Sequence, residues 1–292
     1  MPKKKILFII NPKSGIGKYK LLASYIENAL DKDLFDYDIL YTKYAGHGTE
    51  LAQEAVRKSY DIVVVSGGDG TLNEIAKALV GSETLLGIIP VGSGNGLAHH
   101  LKIPINPIQA IEIINKTKSI TIDTAYVNNN LFVSIAGVGF DALVAKKFTK
   151  VKRRGFLSYF KIIAKEYPKY KPLNYVINID GKQFARKALF ISFANSDQFG
   201  YNTTIAPKAI IDDGMIDVCI VKKIPIIELP FLAHLLYWKQ IDKSKFIETI
   251  KGKKIIIEQE KKSTVNIDGE AVKLEKDLVV KINPLSLKII IP

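Results

Sequence analysis

Hydrophobic positions along this chain change their rhythm once, near residue 120. Before that point, short unbroken apolar runs alternate with stretches of helical spacing. Residues 6–10, 62–65 and 85–90 are runs of the kind that predict strands buried on both faces, and residues 38–42 add a further strand. Between them, Leu21, Leu22, Tyr25, Ile26 and Leu30 recur on one helical face. His47-Gly48-Thr49 opens a second helix ending near Ser59. Thr71-Leu72-Asn73-Glu74 fits the capping-box pattern and predicts a third helix from about Thr71 to about Val80. Strand-helix alternation of this kind predicts an open, doubly wound α/β sheet.

After residue 120 the segments shorten and alternate. Residues 120–126 and 131–135 read as strands around an Asn128-Asn129-Asn130 turn, and residues 174–179 and 187–194 as a hairpin around Asp180-Gly181. Further strands are predicted over 216–221, 246–251, 254–260, 264–267 and 278–282, with Lys251-Gly252-Lys253 and Asp268-Gly269 as punctuation. This half predicts an all-β, largely antiparallel sandwich. Two helices interrupt it, one over 140–171 with a break near Gly155 and one over 225–238. The expected division is an α/β domain over 1–124 and a β-sandwich domain over 125–285, with a closing strand in 286–292 that returns to the first sheet.

Composition narrows the classes. The chain has 292 residues, of which 47% are hydrophobic, enough for a sizeable core. Lys and Arg number 42 against 29 Asp and Glu, a net charge of +13. That excess suits a polyanionic partner, whether anionic membrane, nucleotide or nucleic acid, and does not choose among them. The lysines are spread along the chain and no recognised module accompanies them, so no nucleic acid is expected. Cys219 is the single cysteine, which excludes an intrachain disulfide and a thiolate zinc site; its apolar surroundings predict a core residue. His99 and His100 have no third ligand in view and read as surface residues. No apolar run reaches the roughly 18–20 residues of a membrane span. The basic start, Met1 to Lys5, meets only five apolar residues before Asn11-Pro12, which predicts a first strand and not a signal peptide. A cytoplasmic protein is expected.

The candidate chemistry centres on residues 61–98. Gly67-Gly68-Asp69-Gly70 directly follows the third strand, and Gly92-Ser93-Gly94-Asn95-Gly96 follows the fourth. Glycine permits positive φ and close backbone approach. Backbone N–H groups of such a loop and of a helix N-terminus together favour an anion. In a parallel sheet both loops lie at the carboxyl ends of the strands, where ligands bind. Asn11, Lys13, Thr42 and Ser93 stand at or near the same edge, and Asp69 is placed to orient a metal-bound water or hold Mg²⁺. Gly15-Ile16-Gly17-Lys18 is not a Walker loop, because Pro12 stands where Gly is needed and Tyr19 where Ser or Thr is needed. Asp268-Gly269-Glu270 puts two carboxylates in one turn, either of which could take a proton from a hydroxyl. Asp-Gly is equally a standard hairpin signal. Asp212-Asp213-Gly214 is a turn whose carboxylate and nearby carbonyls suit a hard cation.

The order of these motifs resembles the diacylglycerol kinase catalytic family, which includes soluble bacterial lipid kinases, sphingosine kinases and ceramide kinases. Its signature here is Gly67 to Glu74, Pro90 to Asn95, Asp212-Asp213-Gly214 and Asp268-Gly269-Glu270. The glycine-Asp motif is also similar to that of NAD kinases and phosphofructokinases. The resemblance implies a nucleotide domain followed by a β-sandwich, with the active site between them. It implies ATP contacts at Thr42, Gly67, Gly68, Asp69, Gly70, Thr71, Leu72, Asn73 and Ser93, and catalytic carboxylates at Asp268 and Glu270. It implies a metal–water network that includes Asp69 and Asp123, and a structural Mg²⁺ at Asp213 completed by the carbonyls of Ile210 and Met215. Asp141 falls where sphingosine kinases carry a head-group-binding Asp.

Two positions depart from the bacterial pattern. Gly96 stands where many bacterial members have Asp, and residues 197–201 lack their consecutive glycines. The expected activity is ATP- and Mg²⁺-dependent phosphorylation of a hydroxyl of diacylglycerol or a related lipid. Alternatives are a sphingoid-base kinase and a non-catalytic lipid- or nucleotide-binding relative. Phe156 to Lys171, preceded by Lys152-Arg153-Arg154, mixes aromatics with lysines and suits transient contact with an anionic membrane surface or packing on the sandwich. A homodimer is left open.

Overall fold

A computed structural model describes residues 2–15, 19–151, 155–200, 203–258, 262–275 and 277–292. Ile16, Gly17 and Lys18 and the basic run Lys152-Arg153-Arg154 lie outside the described residues. The chain divides into two compact units. One comprises residues 1–122 and 285–292, the other residues 123–284.

The first unit alternates strand and helix. Its elements are β1 (Lys4–Ile10), α1 (Tyr19–Ala29), β2 (Phe35–Tyr41), α2 (His47–Arg57), β3 (Ile62–Gly67), α3 (Asp69–Leu79), β4 (Leu85–Pro90), the short α4 (Gly96–His100) and α5 (Pro107–Lys116). The strands lie side by side in the order β2-β1-β3-β4, all parallel. Every residue of β3 is buried, and β1 is buried from Ile6 to Ile10, as their unbroken apolar runs require. The path from β1 to β2 and the path from β2 to β3 move in opposite directions across the sheet. Right-handed crossovers therefore send α1 and α2 to opposite faces. Accordingly, α1 packs with α5, and α2 packs with α3. The strand order reverses between β1 and β3.

The second unit is a two-layer sandwich. Its elements are β5 (Ser119–Val127, which begins in the first unit), β6 (Asn130–Phe132), β7 (Ile135–Gly139), α6 (Phe140–Phe148), α7 (Phe156–Glu166), β8 (Leu173–Ile179), β9 (Lys182–Ala188), β10 (Phe190–Ala194), β11 (Gln198–Gly200), β12 (Thr203–Thr204), β13 (Ile216–Val221), α8 (Leu229–Tyr237), β14 (Ile247–Gly252), β15 (Lys254–Glu258), β16 (Ser263–Ile267), β17 (Glu270–Leu274) and β18 (Leu278–Ile290). One layer is a six-stranded antiparallel sheet, β14-β13-β10-β7-β16-β17. The other contains β6, β5, β18, β15, β8 and β9. Their shared core draws Ala136, Ile191, Val218 and Val265 from the first layer and Ile177, Ile255 and Val280 from the second.

Several local expectations need correction. The stretch 187–194 is not one strand. It is the end of β9 and all of β10, which belong to different layers, with Leu189 between them. By contrast, the break expected near Gly155 in the 140–171 helical stretch is there: α6 and α7 are separate helices, and Gly155 caps α7. The last two strands expected are one, because β18 runs on from its pairing with β15 until Ile289 pairs with Leu86 of β4. The strands β7 and β17 were not anticipated as such. Asp180 and Gly181 have φ of 48° and 90°, the left-handed pair that a two-residue hairpin turn requires.

Candidate functional site

In the first unit, the structure gathers Asn11, Thr42, residues 67–73 and residues 91–96 at the carboxyl edge of the parallel sheet. Ile10 is level with Tyr41 and Ser66, and Gly67 with Pro90, so the residues that follow emerge together. The Asn11 side-chain amide donates to the Thr71 hydroxyl at 2.8 Å. That bond crosses the position where strand order reverses, the usual ligand crevice of such sheets. Thr42 is buried to 9% exposure and its N–H bonds the Ile10 carbonyl. Lys13 and Ser93 are exposed, and the Lys13 N–H returns to the Asn11 side-chain oxygen.

The two glycine loops touch backbone to backbone. A Cβ built on Gly92 would stand 2.4 Å from Cα of Gly68, and one on Gly67 2.6 Å from Cβ of Thr71. Close approach explains these glycines. Positive φ does not: Gly68 has φ of −103°, and the left-handed residue here is Asn95, at 53°. Asp69 joins the loops. Its carboxylate accepts the Asn95 N–H at 2.9 Å and the Gly96 N–H at 2.7 Å. Burial pushes its pKa up, and the two N–H bonds oppose that shift. Gly94 is required beneath it, since a Cβ there would stand 2.5 Å from Asp69 Oδ2. With both oxygens turned to backbone donors, Asp69 is better suited to fixing the loops than to ligating a cation directly.

The capping-box expectation fails in an instructive way. Helix α3 begins at Asp69, with Gly68 as its cap residue. Glu74 does not reach back along its own helix. Its carboxylate accepts the N–H groups of Gly46 and Gly48 at 2.8 and 3.2 Å and so caps the neighbouring α2. Together with Thr49 Oγ1 donating to the Glu74 carbonyl, this fastens α2 to α3. The first N–H groups of α3 have no carbonyl of their own helix to bond, and this end of α3 directly follows β3 at the sheet edge.

In the second unit, Asp268 and Gly269 form the β16–β17 turn, both at positive φ. The Asp268 carboxylate points inward. It accepts the N–H groups of Val133, Ser134 and Ile135 at 2.8, 2.9 and 3.0 Å, and it is 6% exposed. Glu270, at the start of β17, is exposed. The turn is thus made by Asp268 and Gly269, and Glu270 lies just outside it. Asp141, on the first turn of α6, is 5% exposed and sits against Gly137. Both its oxygens accept from the Asn266 side-chain amide, and desolvation pushes its pKa up to about 6. Asn266 in turn accepts the Gly269 N–H at 3.0 Å. Asn266 was not anticipated from sequence; the available signal was a polar residue between the apolar Val265 and Ile267, next to the Asp268-Gly269 turn.

Asp123 is fully buried and its carboxylate accepts the Gly214 N–H at 2.7 Å. Its carbonyl accepts from the Asn195 amide, whose own oxygen is buried and unpaired. Asp213 accepts the Met215 N–H at 3.0 Å and pairs with Lys251 at 2.6 Å, while Ile210 is exposed. Among the described residues, no group of three or more His, Cys, Asp or Glu side chains is gathered as a metal site. Cys219 is fully buried, with its thiol pushed up to about 12 by burial. No described helix is long and apolar enough to cross a membrane.

Family models match in both halves: the diacylglycerol kinase catalytic domain over residues 5–127, and the YegS C-terminal NAD kinase beta sandwich-like domain over residues 134–291. The chain belongs to the diacylglycerol kinase catalytic-domain family. It is a lipid kinase. The chain is 29% identical over 273 residues to the diacylglycerol kinase of Bacillus subtilis (strain 168), covering 91% of this chain and 90% of that one. It is 26% identical to the diacylglycerol kinase of Staphylococcus carnosus (strain TM300), covering 92% and 89%. A crystal structure of a provisionally assigned diacylglycerol kinase from Bacillus anthracis str. Sterne superposes with a TM-score of 0.82 at 26% identity, covering 99% of this chain and 95% of that one. The α/β unit with a parallel sheet and the antiparallel sandwich are the architecture of this family.

Proposed function

We propose that this kinase phosphorylates the free hydroxyl of diacylglycerol or a close relative, with ATP as donor. The observation that carries the reading is the joined pair of glycine loops, held by Asp69, beside the N-terminus of α3 at the sheet edge. Phosphoryl transfer asks a protein mainly to position phosphates and stabilise their charge. The N–H groups of Gly70, Thr71 and the loops cradle the phosphates in this reading. Asn11 fixes the Thr71 hydroxyl oxygen by donating to it, which leaves that hydroxyl's proton to be given to a phosphate. Thr42, Asn73 and Ser93 line the same edge, and Lys13 adds positive charge. The divalent cation arrives with the nucleotide.

Glu270 is the base of choice for the lipid hydroxyl. Asp268 has its carboxylate turned inward onto three backbone N–H donors, away from an incoming hydroxyl. Glu270 is exposed and one turn away. Asp141 is poorly placed to seat an amine head group, because its carboxylate is buried and engaged with Asn266. That weighs for diacylglycerol over a sphingoid base.

The lipid is met through α7 in this reading. Tyr159, Ile162 and Ile163 pack beside Phe140 and Val144, while Phe156, Leu157 and Phe160 are 54%, 74% and 56% exposed. Lys161 and Lys165 continue the outer face. An apolar end flanked by lysines suits an anionic lipid surface.

The deciding assay gives the enzyme labelled ATP, Mg²⁺ and mixed micelles of diacylglycerol, monoacylglycerol, ceramide or sphingosine. Label in diacylglycerol at the highest kcat/KM is expected. A higher kcat/KM for sphingosine would replace the substrate assignment, and label in none of the lipids would end it.

A further inference from the structure

The turn Asp212-Asp213-Gly214 leads into β13, and the resemblance of the motif places a structural Mg²⁺ there. The donor set does not fit that ion. Asp213 Oδ2 lies 2.6 Å from Nζ of Lys251, and Oδ1 accepts the Met215 N–H at 3.0 Å. The same ammonium lies 3.7 Å from Oδ2 of Asp217, which faces Lys251 directly across the β13–β14 pair. Mg²⁺ bonds carboxylate oxygen at roughly 2.1 Å and demands near-octahedral geometry. An ion on Asp213 would sit within about 5 Å of a full positive charge already in place, at a cost that a single shared carboxylate does not offset.

The burial of Asp217 beside a second carboxylate explains why a cation is needed at all. The side chain of Asp217 is 5% exposed and that of Asp213 is 22% exposed. Desolvation raises the pKa of Asp217 and Lys251 lowers it, while Asp213 adds a repulsion. Burial works against the charge on Lys251, but its two carboxylates outweigh burial and its pKa is raised. The turn held in this way also has a task. Gly214, at φ of 69°, donates its N–H to the buried carboxylate of Asp123.

We propose that the Lys251 ammonium is a built-in cation, taking the place of a divalent ion and locking the 212–214 turn onto β13 and β14 without metal. The turn then orients Asp123 whether or not free Mg²⁺ is present. Phosphoryl transfer retains its own requirement for nucleotide-borne metal, so the two roles of Mg²⁺ separate.

The test is thermal unfolding of the full chain without nucleotide, in EDTA and in millimolar Mg²⁺, with Mn²⁺ binding followed by electron paramagnetic resonance. Wild type is expected to melt at the same temperature in EDTA and in Mg²⁺, and to bind no Mn²⁺ that Asp213→Asn removes. Lys251→Met keeps the apolar stem and deletes the charge, and its melting temperature in EDTA should fall by roughly 5 °C. Lys251→Arg keeps the charge and should avoid most of that loss. A wild-type melting temperature that rises in Mg²⁺ and loses the rise in Asp213→Asn would overturn the proposal, as would a Lys251→Met chain as stable in EDTA as wild type. If Lys251→Met does not fold, the wild-type comparison still decides. These readouts do not depend on the lipid substrate, so they stand or fall apart from the assay above.

Discussion

The side-chain amide of Asn266 lies 3.0 and 2.9 Å from the two oxygens of Asp141, and it is the polar partner of that buried carboxylate. One amide does not replace the hydration of an ion, so desolvation dominates and Asp141 titrates near pH 6 in the fold against a reference value of 3.8. A carboxyl group whose folded pKa is raised binds more protons in the native than in the unfolded state between those values. Stability from this group is therefore present at low pH and is lost as pH rises from about 4 to about 6, with no further change above. The loss is roughly 3 kcal/mol. Urea unfolding from pH 4 to 7 should show this fall in wild type, and the difference from Asp141→Asn should trace it. A difference that is flat over this range would refute the assignment.

Asp268 and Glu270 should separate by kind of damage. Asp268→Asn replaces an acceptor for three backbone N–H groups by a group that also donates, and should cost roughly 3 kcal/mol of stability. Glu270→Gln should leave the melting temperature unchanged and lower kcat by roughly 10² to 10⁴ with ATP binding retained. Denaturation and steady-state kinetics on both variants check the split. Full activity in Glu270→Gln would remove it as the base.

Gly92→Ala would put a Cβ within 2.4 Å of the Gly68 backbone and force the loops apart. Because both sides of that contact are main chain, no side chain can yield. The KM for ATP should rise roughly tenfold to a hundredfold. Nucleotide titration by fluorescence reads the same change as an affinity loss. Unaltered ATP affinity would mean that the closeness of the loops is not part of the phosphate site.

The outer face of α7 should matter only when the substrate is in a bilayer. Changing Leu157 and Phe160 to Ser removes two exposed apolar side chains, each worth roughly 1.5–3 kcal/mol if fully buried. Binding to vesicles containing anionic lipid should drop at least about tenfold. Activity on a monomeric short-chain substrate should stay near wild type. Equal losses on both substrates would place these residues in structure and not at a lipid surface.

Much of the fold was legible in the chain. Unbroken apolar runs such as residues 62–65 can only be satisfied by burial on both faces, and the switch to short alternating segments after residue 120 marks the sandwich. The glycine loops were visible as runs of residues without side chains, and the Asp268-Gly269 turn because it depends on the backbone freedom of its own residues. Less visible were contacts made at a distance. The sequence pattern of Glu74 is that of a local cap, yet its carboxylate serves Gly46 and Gly48, 28 and 26 positions away. The pattern of residues 187–194 is one strand, yet Leu189 marks a change of layer.

Sequence alone therefore determined the two-part architecture, the family and the location of the two glycine loops, since these rest on local spacing, propensity and motif. Tertiary structure alone decided what each acidic side chain touches. Asp69 is tied to Asn95 and Gly96, Asp268 to residues 133–135, Asp141 to Asn266 and Asp213 to Lys251. A carboxylate's role is set by the donors that replace its water, and those donors lie 26 to 135 residues away, brought close only by the packed sheets.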